Sequence, residues 1–206
     1  MGQVSFNGLS VLTAPGQVMT PRAASEQLVA AALERLGGHP ARVVDVGTGS
    51  GAIAIAIAAA APQAEVWATD TSRCAVALAR LNARRHGLQD RVVIRHGDLL
   101  EPVPGPIDII VANLPYLPKA AALDYPDLAT EPSESVFADG DGLEPYRRLL
   151  TASAERLADE GALILQFHRR VVSAGRAELA ALRGALHYGA AQPIAAYVPR
   201  IAGAAA

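Results

Sequence analysis

Apolar positions in this chain follow two alternating patterns: short continuous runs, and longer stretches spaced by three and four. Residues 4–18 read as short extended segments with turns at Asn7-Gly8 and Pro15-Gly16. In residues 25–36, Leu28, Val29, Ala32 and Leu33 share one helical face, and Gly37-Gly38 ends the helix. Residues 42–46 form a short apolar strand. Residues 52–61 are ambiguous by period, because Ile53, Ile55 and Ile57 alternate with alanine as a strand would. A strand directly after a glycine loop leaves no room for a parallel crossover, so a helix is predicted. Strands at 65–69, 91–96, 107–112 and 162–167 then interleave with helices at 73–86, 145–158 and 174–186, with Gly87 closing the first and Ser173 capping the last. A final strand is placed at 195–198. This order predicts an α/β fold with a mostly parallel sheet, helices on both faces and a last antiparallel strand. Residues 41–206 carry that unit, and residues 1–40 form a hairpin-and-helix extension packed on it. Residues 118–142 are acidic and proline-containing, and read as a functional loop.

Composition narrows the picture. The chain has 206 residues, is 51% hydrophobic and 18% charged, which fits one globular domain. Its net charge of -2 lacks the basic surplus of a protein that grips a nucleic-acid backbone. The single cysteine, Cys74, permits no intramolecular disulfide, fits a reducing compartment, and reads as a buried small residue. His39, His86, His96, His168 and His187 are scattered without zinc-ligand spacing, so no metal is expected. Residues 1–10 lack a signal-peptide pattern, and the uncharged stretch 46–64, with three glycines and Pro62, reads as loop plus buried helix. The expectation is a cytoplasmic protein without a membrane partner.

The first candidate chemistry lies where strand 42–46 meets the next helix. Gly47-Thr48-Gly49-Ser50-Gly51 permits a sharp turn and close ligand approach beside free helix N–H groups. Gly47, Gly49 and Ala52 also satisfy the dinucleotide pattern G-x-G-x-x-A. Gly51 and the preceding Asp45 favour S-adenosyl-L-methionine (SAM) instead, because a carboxylate there can receive the amino group of its methionine moiety, directly or through water. Asp70 ends the second strand, 23 residues after Gly47, where a carboxylate can accept ribose hydroxyls, cap the next helix, or both. Asp98 ends the third strand and either accepts from an adenine amine or serves as a polar turn residue, with Leu99 offering apolar contact or a backbone N–H.

Asn113-Leu114-Pro115-Tyr116 follows strand 107–112, at the end of the sheet where open α/β folds place their chemistry. A planar N–H₂ group needs two acceptors to fix it. The Asn113 side-chain oxygen supplies one. The Leu114 carbonyl supplies the other, since Pro115 biases Leu114 toward extended backbone. Tyr116 can stack on the planar group and exclude water. The four residues are therefore the candidate catalytic set, with Asn113 also touching SAM.

At this point the chain resembles the HemK/PrmC-type protein-(glutamine-N5) methyltransferases, which modify peptide chain release factors. Four blocks carry the resemblance: Gly8-Leu9 with Pro21-Arg22 and Ser25-Glu26; residues 45–52; residues 113–116; and Glu131-Pro132, Phe137-Ala138, Asp141-Gly142-Leu143 and Tyr146-Arg147. It implies a class I SAM-dependent methyltransferase domain of Rossmann-like type. It further implies that residues 47–51, Asp70, Leu99 and Asn113 contact SAM, while residues 113–116 hold the target glutamine amide. Leu114 stands where the family has proline, a spelling shared with ribosomal-RNA adenine dimethyltransferases. Ala23 and Ala24 replace Pro and Glu, and Gln166-Phe167-His168 replaces Glu-Ile-Gly. The helical domain that docks release factor in bacterial members has no counterpart here, which raises a small partner subunit as an expectation. The alternatives are an adenine-N6 methyltransferase of RNA or DNA, a small-molecule methyltransferase, and a SAM-binding accessory protein. The acidic residues Glu131, Glu134, Asp139, Asp141 and Glu144 either face a basic substrate protein or form a solvated loop.

Overall fold

The computed structural model describes residues 1–128 and 130–166, together with the backbone of 187–188 and 194–197. Strands β1 (Gly2–Phe6) and β2 (Leu9–Thr13) pair antiparallel across the Asn7-Gly8 turn. Both turn residues have positive φ, 49° and 74°, the conformation that a two-residue hairpin favours. Helix α1 (Glu26–Leu36) follows a short 3₁₀ turn and ends at Gly37. Then come β3 (Arg42–Val46), α2 (Ala52–Ala60), β4 (Glu65–Asp70), α3 (Arg73–Arg85), β5 (Val92–His96) and β6 (Ile107–Ala112). The remaining elements are β7 (Leu117–Pro118), α4 (Ser133–Val136), β8 (Phe137–Ala138), α5 (Glu144–Ala154), β9 (Leu157–Gln166), β10 (His187–Tyr188) and β11 (Ile194–Tyr197).

The main sheet runs β10-β11-β9-β6-β3-β4-β5. Its five strands from β9 to β5 are parallel, while β11 pairs antiparallel with β9 and β10 with β11. Side chains alternate between the faces. Val43, Ile109, Val111 and Ile164 point into the layer of α1, α2 and α3. Val44, Val46, Ile110, Leu163 and Leu165 point toward Leu143, Tyr146, Leu149 and Leu150 on the α5 side. Parallel register brings Val46 level with Thr69 and Ala112, so the segments after β3, β4 and β6 emerge at one edge.

The isoleucine alternation in 52–61 resolves as helix. Every residue from Ala52 to Ala58 is buried, so α2 is apolar all round, and four alanines in that run give it strong helix propensity. The helix expected at 145–158 is shorter. It stops at Ala154, and Leu157 already pairs with Ile107. The Arg156 carbonyl accepts from Ile107 N–H at 2.8 Å and its guanidinium donates to the Val103 carbonyl, which pulls this turn onto the sheet. The strand expected at 162–167 accordingly begins at Leu157, with a bulge where β6 advances two residues and β9 five. Residues 118–142 are more ordered than a plain loop. They contain 3₁₀ turns at Lys119–Asp124 and Pro126–Leu128, then α4, and the β7–β8 pair closes them. Cys74, expected to be buried, is exposed on α3. The helix expected at 174–186, Ser173, and residues Phe167, His168 and Val198 lie outside the described residues.

Candidate functional site

Two neighbouring cavities open at the carboxyl edge of the sheet. The first, about 260 Å³, is lined by Val18, Gly47, Gly49, Asp70, Asp98, Leu99, Asn113, Leu114, Pro115 and Arg148, among others. The second, about 290 Å³, is lined by Met19, Arg22, Asn113, Leu114, Pro115, Tyr116, Tyr125, Leu128, Ser135 and Gln166, among others. They share Met19, Ser135 and the segment Asn113-Leu114-Pro115. The tip of β6 is thus the wall between them.

The glycine loop is shaped from behind. Asp45 belongs to the inward face of β3 and is fully buried under α2. Its Oδ2 accepts from Thr48 Oγ1 at 2.6 Å and from the Ala54 N–H at 3.2 Å, while Oδ1 has no partner among the described residues. Burial raises its pKa to about 7, against the lowering effect of those two bonds. Asp45, Thr48, Ser50 and Gly51 therefore do not line the cavity. Asp45 thus stands behind the loop, enclosed rather than in the cavity wall. Gly47 has φ 71°, a conformation that side-chain-bearing residues rarely adopt, and a Cβ there would also press on Leu114 Cδ2 at 2.7 Å.

Asp70 does line the cavity. Its Oδ2 accepts from Gly49 N–H at 2.9 Å and its Oδ1 from Ser72 N–H at 2.8 Å, and burial raises its pKa. The side-chain cap of α3 is Ser72, which accepts from the Ala75 N–H at 3.3 Å, so the capping role considered for Asp70 goes to Ser72. Each Asp70 oxygen keeps lone-pair capacity for a further donor. Leu99 has φ 47°, and its carbonyl accepts from Thr69 Oγ1 at 2.8 Å. Asp98 forms an ion pair with Arg148 of α5, and both residues line the cavity.

At the β6 tip, Asn113 Nδ2 donates to Ser25 Oγ at 3.2 Å. Among the described residues, nothing donates to Asn113 Oδ1. The buried Tyr146 hydroxyl accepts from the Leu114 N–H at 3.0 Å and lies 2.7 Å from the Gln166 carbonyl and 3.1 Å from the Leu114 carbonyl. A carbonyl oxygen has two lone pairs, so whichever contact takes the single hydroxyl proton, the Leu114 carbonyl keeps acceptor capacity. Burial lifts Tyr146 well above the usual phenol range and raises Tyr116 too, so both stay neutral. Gly142, with φ 88°, packs on this segment, since a Cβ there would sit 2.3 Å from the Tyr116 carbonyl oxygen.

The acidic residues of the following loop are mostly engaged within the chain. Glu131 turns inward, accepting from Thr20 N–H at 3.0 Å and lying 3.8 Å from Arg22. Asp139 pairs with Lys119 at 2.8 Å. Asp141 pairs with Arg147 at 2.6 Å, and that hydrogen-bonded guanidinium holds its carboxyl at a pKa of about 2. Sequence reasoning gave no role to Ser25, Tyr146, Arg148 or Asn82. The last is buried on α3, and its carboxamide bonds Leu12 N–H, Leu12 C=O and Ser50 C=O, tying hairpin to glycine loop. A lone asparagine on the apolar face shared by Leu78, Ala79 and Ala83 was its signal.

A parallel sheet of this order, with a glycine loop after β3 and an Asn-box at the tip of β6, defines a Rossmann-like methyltransferase domain. The chain belongs to the methyltransferase small domain family, which it matches over residues 22–125. That family implies SAM as cofactor. Among its relatives, the release factor glutamine methyltransferase of Deinococcus radiodurans is 42% identical over 180 residues, covering 86% of this chain and 64% of the relative. That of Moorella thermoacetica is 42% identical over 168 residues, covering 80% and 59%. The chain thus spans a little under two thirds of these relatives. In fold it is similar to a ribosomal protein methylase of Lactobacillus delbrueckii, with a TM-score of 0.66 at 24% identity over 89% of this chain and 82% of that one. A 16S rRNA methyltransferase of T. thermophilus gives 0.70 at 19% identity, over 97% and 50%.

Proposed function

We propose that this chain transfers a methyl group from SAM to the side-chain amide nitrogen of a glutamine in a peptide chain release factor. The observation that carries the reading is the pair of cavities sharing Asn113, Leu114 and Pro115 as a wall. One takes the nucleoside and methionine of SAM, the other the acceptor amide. The relatives' substrate and about 40% identity support the choice of acceptor.

The residues fit SAM in the first cavity. Gly47 and Gly49 leave room for close approach, Asp70 has acceptor capacity for ribose hydroxyls, and Leu99 gives an apolar wall. Asp98 and Arg148 close its rim as an ion pair. Asp45, Thr48, Ser50 and Gly51 hold the loop in shape from below. SAM supplies an electrophilic methyl on a positively charged sulfur.

This chain's residues then have one main task, to present a weak nucleophile. An amide nitrogen's lone pair is delocalised into the carbonyl. Asn113 Oδ1 and the Leu114 carbonyl accept its two N–H groups, which pushes density to nitrogen and fixes its direction. Such alignment removes roughly 7–11 kcal/mol of barrier. Tyr116, in the second cavity, covers the flat amide and excludes water. The methylated nitrogen is a strong acid until it loses its proton, so no strong base is required. The 1–40 hairpin-and-helix segment and the 41–206 unit work as one site in this reading, since Met19 and Arg22 line the acceptor cavity. The reaction is placed in the cytoplasm.

The test is transfer of labelled methyl from SAM to purified release factor, with stripped RNA in parallel. Label on the release-factor glutamine supports the reading; label in RNA alone replaces it with adenine chemistry. Among the described residues no helix is long and apolar enough to cross a membrane.

A further inference from the structure

Asn113 carries a donor and an acceptor on one flat group, and the proposed chemistry uses only the acceptor. Something must hold the other end. We infer that Ser25 is a positioning residue for methyl transfer: its hydroxyl takes the Nδ2 end of the Asn113 carboxamide and so aims Oδ1 at the junction of the two cavities. The inference rests on the function proposed above for Asn113.

Three observations converge. The contact is Asn113 Nδ2 to Ser25 Oγ at 3.2 Å, between residues 88 apart in sequence. Ser25 is 4% exposed, so water does not compete for its hydroxyl. It also stands at the N-cap of α1, where a serine side chain ordinarily accepts from the helix's own free N–H groups. Here it accepts none, and its backbone is already helical, with φ -78° and ψ -9°. The hydroxyl is turned away from its local duty and toward the β6 tip. The preceding 3₁₀ turn keeps it there, with Ser25 N–H donating to the Arg22 carbonyl at 2.9 Å. The same turn brings Arg22 and Ala24 into the wall of the second cavity. A peripheral segment thus holds a group at the centre of the sheet edge.

Without Ser25 the carboxamide plane rotates about its last torsion, a broad and nearly two-fold potential. The acceptor amide then meets Oδ1 in only part of the population. Losing one buried hydrogen bond corresponds to about a ten-fold effect. That loss falls mainly on kcat, since Asn113 is one of many residues in the SAM cavity and the glycine loop and Asp70 are untouched.

The experiment compares Ser25→Cys, which keeps size but is a poor acceptor, and Ser25→Thr, which keeps the hydroxyl. Ser25→Cys is expected to lower kcat about ten-fold, with the Kd for SAM within two-fold and the melting temperature lowered by only about 2–4 °C. Ser25→Thr is expected to recover most of the rate. In an Asn113→Ala background, Ser25→Cys is expected to add nothing, because the two act as a unit. The Asn113 side-chain ¹⁵N–¹H₂ resonance, assigned by its loss in Asn113→Asp, is expected to move toward a free carboxamide in Ser25→Cys. A resonance that stays in place overturns the inference, as does a full additional loss of rate on top of Asn113→Ala. If the unaltered chain transfers no methyl to release factor, the proposed function fails, while the resonance still decides the Ser25 contact.

Discussion

At the scale of single residues, Asn113 and Asp45 make opposite uses of burial. Asn113 sits at a wall shared by two cavities, and among the described residues nothing donates to its oxygen. Asn113→Ala is expected to lower methyl transfer by about a hundred-fold, the size of effect a misplaced reacting group produces. SAM affinity, measured by calorimetry, is expected to stay within a few-fold. Equal loss of binding and turnover would make Asn113 a cofactor-site residue only. Asp45 is enclosed, with one carboxylate oxygen unpartnered among the described residues. Its pKa of about 7 in the folded protein lies above the usual 3.8, chiefly through desolvation. The folded state therefore holds this proton more tightly than the unfolded chain. The resulting stability is complete below pH 3.8 and is lost as pH rises through about 7. Urea unfolding of the ligand-free protein at several pH values is expected to show this slope, and Asp45→Asn is expected to flatten it. A variant with the parent's slope would rule out Asp45 as its source.

At the scale of elements, the loop after β7 is fastened to the Asn-box by backbone contact. The left-handed φ of Gly142 and the nearness of the Tyr116 carbonyl leave no space for a side chain. Gly142→Ala is expected to cost about 2 kcal/mol through strain at this position, seen as a lower urea midpoint, and to weaken release-factor methylation more than SAM binding. A variant as stable and active as the parent would show that the loop repacks freely. The same contact gives the Asp-Gly-Leu block a physical meaning. Asp141 holds Arg147 and accepts from the Leu143 N–H at 3.0 Å, Gly142 touches the Asn-box, and Leu143 enters the core beside Tyr146. The elements themselves were largely legible. Strands 42–46 and 107–112 were read to the residue, because short runs rich in valine and isoleucine are a local signal even with Asp45 and Asp108 inside them. The end of α5 was not. Leu157 and Ala158 suit a helix by propensity, and only their place beside β6 makes them strand.

At the scale of the whole molecule, the sheet brings four segments from distant parts of the chain to one edge. Binding there couples them. With SAM at a hundred times its Kd, the folded state gains about 2.7 kcal/mol. For a domain of this size that raises the melting temperature by roughly 5–10 °C. A nicotinamide dinucleotide is expected to give no shift. A shift with the dinucleotide and none with SAM would return the glycine loop to the dinucleotide reading that its spacing also permits.

The sequence by itself determined the order of strands and helices from residue 25 to residue 112, the glycine loop, Asp70 and the Asn-box. These depend on period, backbone freedom and residue type over a few neighbouring positions. Tertiary structure alone decided which of the named residues face a cavity and which support it from behind. Asp45 went inward because β3 alternates and its odd face lies under α2. Ser25, Asn82, Tyr146 and Arg148 gained their places through bonds spanning tens of residues, from Ser25 to Asn113 or from Tyr146 to Leu114. No local pattern encodes such a bond, since its two ends become neighbours only when the sheet is built.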